Sequence, residues 1–370
     1  MFRVALYGAL VLTVFVTGMP HAVFAEAGDT IIVHGKVIQA GGVSVTPILG
    51  TEAVERIQTL SVELDAGSVV TFTNDHTPLS VGDRVYLNAQ DMGDRTEYTF
   101  KEFDRRLMLI VVAVLFVLLT VFVGGVIGFR AIVALGISLA VIVYVLLPML
   151  VSGAPPALTS LFVSALILAS VMAITHGINR STAAAFIGSM ITVIIAIIVS
   201  SFVVTVMRFS GFTDDASSIL NLSTGGTLDM AGLLLGAIII GILGIIDDLA
   251  VTQVITVQEL RCANAALSHR DVYQRAMHIG RSHLGAVVNT LVLAYAGASL
   301  PLLLLFTLSA SDTGMLLNSE IVAVEIVRAI IGTGALALVL PISTALAVYL
   351  PKNLLIPKNG LKSSVHGHSH

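Results

Sequence analysis

Asp247 and Asp248 stand side by side in GIIDDLAVTQ, after an uncharged run from Met230 to Ile246 and before another that lasts until Glu259. Carboxylates can titrate, hold a cation or pair with a base. In an apolar segment each costs about 2.5–3.5 kcal/mol on membrane-insertion scales, so such groups face a bundle interior, a wet cavity or an opposite charge. At helical spacing Gly241, Gly244, Thr252 and Glu259 share the face of Asp248, and Asp247 lies about 100° around. Glycine lets a second helix approach closely, and threonine can hydrogen-bond across. The stripe is therefore a helix–helix contact or the wall of a pathway. Salt bridges from the acids to Arg275 or Arg281 are the structural alternative.

Two more apolar stretches carry polar groups. In EIVAVEIVRAIIGTGA, Glu325, Arg328 and Gly332 fall on one helical face, with Glu320 ahead of them. Glu325 and Arg328 can pair within the helix, which makes both easier to bury. The pair is a packing device or a gate. In VVNTLVLAYAGASLP, Asn289, Thr290 and Tyr295 precede Pro301, which can kink or break a helix. Asn289 is a hydrogen-bonding partner for a neighbouring helix or a coordinating group.

The elements that must position these residues follow from composition. The chain has 370 residues, 56% hydrophobic and 11% charged, with mean hydropathy +0.97. Soluble domains carry about 25% charge, so the sequence predicts an integral membrane protein. The net charge is −4 and no basic cluster with interleaved aromatics occurs, so no nucleic-acid partner is expected. The single cysteine, Cys262, excludes an intrachain disulfide and any CxxC site.

Residues 1–25 read as a signal peptide or signal anchor, with one arginine, a short apolar run, and Val23 and Ala25 at the −3 and −1 positions. Residues 26–105 are polar, with short alternating runs such as TIIVHGKVI and SVVTFTN broken by Gly, Asn, Asp and Pro. They predict an exported small all-β domain of five or so strands, OB-like or lipoyl-like, with His34 and His76 as lone surface histidines.

Residues 106–350 predict an all-α polytopic membrane bundle of about seven transmembrane helices, near 107–128, 131–151, 157–175, 182–206, 230–252, 284–309 and 321–349. The last is long enough to be two pieces, or tilted, or kinked at Pro341. The connection 207–228 reads as a Gly/Ser/Asp-rich loop, and 253–283 as a helix extension plus a surface helix. Residues 351–370 form a tail ending in His366, His368 and His370.

With the β domain outside, Arg130, Arg180, Arg261, Arg270, Arg275, Arg281, Lys352, Lys358 and Lys362 fall on the cytoplasmic side, and only Arg208 lies in a short external loop. The positive-inside rule thus predicts a cytoplasmic C-terminus.

Several separated motifs occur in order: GIIDDLAVTQVITVQEL, HIGRSHLGAVVNTLVLAYAGASLPLLLLF and NSEIVAVEIVRAIIGTGALALVLPIS. In this pattern the chain resembles the YibE/F family of bacterial multi-pass membrane proteins. The matching positions are Gly244, Asp248, Glu259, Gly280, Arg281, Asn289, Thr290, Tyr295, Asn318, Glu320, Glu325, Arg328 and Pro341. Ser282 departs from it, where the pattern favours an acid after Arg281. The resemblance extends over most of the chain, the β domain included. It implies location and architecture, and no particular activity.

No nucleophile elbow, P-loop, HExxH or Rossmann fingerprint appears, so neither enzyme activity nor a cofactor is expected. The leading expectation is a gradient-driven transporter or export permease. Asp247, Asp248, Thr252, Glu259, Asn289, Thr290, Tyr295, Glu325 and Arg328 would form the substrate or ion pathway. The alternative is a non-transporting scaffold whose β domain binds an envelope partner. Expected partners are the lipid bilayer, a small solute or ion, an envelope protein and a second copy of the chain.

Overall fold

The structure, a computed structural model, describes residues 30–47, 54–75, 77–93, 95–308 and 313–349. The signal segment, His76 and the histidine-bearing tail lie outside them. Two units are resolved, the first ending at Phe122 and the second beginning at Val123.

The first unit carries an antiparallel sheet. Its strands are β1 (Thr30–Ala40), β2 (Ser44–Pro47), β3 (Val54–Leu64), β4 (Val69–Asn74), β5 (Arg84–Asp91) and β6 (Thr96–Phe103). The order is β2-β3-β1-β5-β6, with β4 also paired to β3. The sheet curls until β4 approaches β6. Apolar residues alternate with polar ones along each strand, so one face closes on itself: Val37, Leu60, Val62, Phe72, Val85 and Leu87 form its core. Gln58 is buried and tied to the Leu79 backbone, donating to its carbonyl at 2.9 Å and accepting its N–H at 2.8 Å. Both ends of the buried Gln58 amide are thereby satisfied.

Helix α1 (Arg106–Val141) follows, broken at Gly125, where φ is 56° and ψ −132°. Only a residue without a Cβ adopts that backbone readily. The sequence places the turn near residues 129–130; the glycine places it earlier, and Arg130 is helical. A π turn (Ile142–Leu146) and α2 (Leu147–Val151) carry the helix on. The whole stretch from Arg106 to Val151 is 46 residues, against about 20 for one crossing of the hydrocarbon core.

The second unit continues with α3 (Pro156–His176), α4 (Arg180–Val206), α5 (Asp215–Ser223), α6 (Met230–Ala263), α7 (His269–Ala298), α8 (Leu300–Leu308), α9 (Thr313–Asn318) and α10 (Glu320–Tyr349). Among the described residues, five helical stretches are long and apolar enough to cross a membrane: 106–151, 156–176, 180–206, 230–263 and 320–349. The expected sixth span, 284–309, is divided. Helix α7 ends at Ala298, with Ser299 as its cap ahead of Pro301, and its first half carries Arg270, Arg275, His278 and Arg281. The expected surface helix is the first half of that same helix. The expected loop 207–228 contains α5, nucleated by a capping box in which the Asp214 carboxylate accepts from the Ser217 N–H at 2.7 Å. Pro341 lies inside α10 without ending it.

Helix α6 is the axis of the second unit, packed by α3, α4, α7 and α10. Ile239, Ile242, Ile246, Leu249, Val254 and Val257 are its buried face. Small residues bring the helices together. Gly188 on α4 meets the Cα and hydroxyl of Ser343 on α10, and Gly236 on α6 meets Ser160 on α3. Thr344 of α10 donates to Gln253 of α6 at 3.0 Å, a buried bond between helices.

Candidate functional site

The acids of α6 open onto a cavity of about 370 Å³ bounded by the second arm of α1, by α3 and by α6. Gly244, Asp247 and Asp248 line it from one side, Ser138, Thr175 and His176 from the others. Asp247 is half-buried and its Oδ1 has no hydrogen-bond partner; Asp248 is exposed to the cavity. No ion pair among the described residues reaches either acid, and Arg275 and Arg281 are exposed on α7.

Ser138 donates to the Ala134 carbonyl at 3.0 Å and Thr175 to the Val171 carbonyl at 2.7 Å. With their protons spent within their own helices, both hydroxyls offer acceptor lone pairs. The few polar groups of an otherwise apolar lining are therefore mostly oxygen acceptors, and it holds no lysine or arginine. Such a surface suits a cation or a proton. A positive charge between the adjacent carboxylates would also relieve their repulsion, which is strong where water is scarce.

A second polar cluster lies further towards the start of α6. Arg328 donates to Glu325 at 2.8 Å along α10, with side chains 25% and 27% exposed. The Tyr295 hydroxyl of α7 lies within electrostatic range of both. It sits where a Cβ on Gly241 or on Gly332 would meet it at 3.9 or 3.8 Å. Tyr295 thus fits between a bare stretch of α6 and a bare stretch of α10.

The two clusters share one exposed strip of α6. Gly241, Gly244, Asp248, Thr252 and Glu259 are all exposed. From Gly241, beside Tyr295, to Asp248, in the cavity, the strip runs about 10 Å at 1.5 Å per residue.

Residues 112–353 match the family described as YibE/F-like protein. The chain belongs to that family. No curated protein and no solved structure matches it. In this YibE/F-like protein the match takes in all the quoted motifs and the helical part, and the β domain stands ahead of it.

The structure brings Asp247 and Asp248 together in the cavity, and Tyr295, Glu325 and Arg328 in the second cluster. Thr252 and Glu259 lie on the strip below the cavity, outside its lining. Asn289 and Thr290 are exposed on α7 and do not line it either; the Thr290 hydroxyl is spent on the Ala286 carbonyl at 3.0 Å. Glu320 is committed elsewhere, accepting from Ser210 at 2.8 Å and the Gly211 N–H at 2.7 Å.

Ser138, Thr175 and His176 are the residues that sequence reasoning missed. Thr175 and His176 end α3 in the polar run THGIN, which was the available signal; Ser138, alone among apolar residues, gave none. Among the described residues no group of three or more His, Cys, Asp or Glu could hold a metal ion.

Proposed function

We propose that this YibE/F-like membrane protein is a gradient-driven transporter or export permease for a cation or a proton-coupled solute. The supporting observation is a largely apolar cavity holding two adjacent carboxylates, continued by an exposed strip of small residues to the Glu325–Arg328–Tyr295 cluster. On this reading Asp247 and Asp248 hold the cation or proton, His176 stands at the exposed mouth, and Arg328 is the counter-charge of Glu325 inside apolar surroundings. No enzymatic step or resident cofactor is part of it.

The proposed organisation is a signal segment over 1–25, an extracytoplasmic OB-like or lipoyl-like domain over 26–105, a membrane domain over 106–350 and a cytoplasmic tail over 351–370. It would sit in the bacterial plasma membrane, oriented by the basic residues of the predicted inner loops. The test is ion or proton flux in proteoliposomes. Asp248→Asn should lower it by about tenfold or more, since removing a charge from a binding group costs at least about 1.4 kcal/mol. Wild-type flux in that variant for protons and for mono- and divalent cations would refute the reading.

A second reading, a scaffold whose β domain holds an envelope partner, draws on the exposed apolar residues Ile31, Val45, Val69 and Val81 of that domain. Crosslinking of the full chain in cells, with and without charged substitutions at those positions, separates the two.

A further inference from the structure

The β domain has a polar recess of its own, independent of the helical cavity. Val33 and Val37 pack into the sheet's core, so the alternating residues His34 and Lys36 of β1 point outward. The register sets Lys36 between Glu63 of β3 and Arg84 of β5. One row further, His34 lies opposite Tyr86, and their rings meet at 4.2 Å. A recess of about 300 Å³ opens over these rows, lined among others by Lys36, Glu63, Asp65, Arg84 and Arg106.

The charges there are unevenly satisfied. Arg106 is fully engaged: it holds both carboxylate oxygens of Asp104, at 2.8 and 2.7 Å, and lies 5.1 Å from the centre of the Tyr86 ring. No ion pair among the described residues reaches Lys36 or Arg84. Yet they are direct cross-strand neighbours, and like charges so placed destabilise a sheet. An anion shared between them turns that repulsion into two charge-assisted contacts. Glu63 and Asp65, on the β3 side of the recess, make no ion pair either. The recess is therefore divided into an anion-seeking half and a cation-seeking half.

Its position narrows the ligand. Arg106 is the first residue of α1, and behind it Leu107, Met108 and Leu109 are 69%, 68% and 62% exposed. Apolar surface of that extent at the start of a membrane helix belongs in lipid, which sets the recess at headgroup level. We propose that the recess binds the headgroup of a zwitterionic aminophospholipid, with its phosphate on Lys36 and Arg84 and its ammonium on Glu63 and Asp65. The proposal does not depend on the transport reading.

Native mass spectrometry of the full chain tests it, with phosphatidylethanolamine, phosphatidylcholine and phosphatidylglycerol titrated in turn. Phosphatidylethanolamine should be retained in preference to both others, because choline cannot donate hydrogen bonds and glycerol carries no charge. Lys36→Ala with Arg84→Ala should cut that retention about tenfold, the loss of a charge-assisted contact. Glu63→Gln with Asp65→Asn should shift preference towards phosphatidylglycerol. All four side chains are exposed, so the variants are expected to fold, and circular dichroism checks that they do. Equal retention of the three lipids, or unchanged retention in the Lys36/Arg84 variant, overturns the proposal. Equal competition by free phosphoethanolamine overturns the lipid as the source.

Discussion

The Tyr295 hydroxyl lies 3.9 Å from where Gly241 would carry a Cβ. A tyrosine of α7 thus covers the top of the strip that leads down α6 to Asp248. At that distance a methyl group makes ordinary contact, whereas a longer side chain must displace the phenol or fill the strip. Gly241→Ala is expected to keep flux within about twofold of wild type, and Gly241→Leu to lower it about tenfold, a barrier increase near 1.4 kcal/mol. Both should melt like wild type, because the strip is exposed. Equal flux in the two variants would take Gly241 out of the pathway.

Asp247 presents a buried oxygen with no hydrogen-bond partner. Leaving a buried polar group unsatisfied costs about 1–3 kcal/mol. Asp247→Leu should therefore raise the thermal midpoint of the detergent-purified protein while abolishing flux. A stabilised, inactive variant is the signature of a residue kept for function at the expense of stability. A lowered midpoint would mean that Asp247 holds the fold together.

Glu325 and Arg328 depend on one another. Each is only about a quarter exposed, and removing one partner leaves the other without its counter-charge. Glu325→Gln should destabilise by about 1–3 kcal/mol, below the fully buried case because some solvent still reaches the pair. Adding Arg328→Gln should restore most of that stability without restoring flux. Equal and additive losses in a double-mutant cycle would show that the pair is not coupled.

Asp104 gives the β domain a pH signature. The hydrogen bond from Arg106 holds its carboxyl at about 2, below the ordinary 3.8, against a smaller upward push from burial. A depressed folded value stabilises fully above 3.8, and the contribution fades as pH falls through about 2. The contact therefore persists at neutral and mildly acidic pH. Arg106→Gln should return the Asp104 carboxyl towards 3.8 in an NMR titration and make the β domain unfold at a higher pH on acidification. An unmoved titration would show that Arg106 is not the cause.

Much of the site was legible residue by residue. Two acids in an apolar run, and a Glu and Arg three apart, are conspicuous because lipid tolerates neither without a reason. Partnership was not legible. Asn289 and Asp248 share a family pattern, yet α7 presents Asn289 away from the acid cavity, since the face a helix shows its neighbour depends on how it is rotated in the bundle. Thr175 and His176 read as a helix end because that is what they are; only the position of α3 beside α6 makes them cavity walls.

The sequence by itself determined the class of protein, the polar β domain ahead of the helices, most of the membrane helices and the identity of the costly buried charges. Each is a local sum, of hydropathy or of alternation, that a short window contains. Tertiary structure decided that α6 is the axis, that the turn in α1 falls at Gly125 and that the expected sixth span is divided at Ser299. It also decided that the strip of Gly241, Gly244 and Asp248 stays exposed while Ile242, Ile246 and Leu249 are buried. These depend on which helices pack on which faces, and that follows from close contacts such as Gly188 on Ser343 and Gly236 on Ser160, made between residues far apart in the chain.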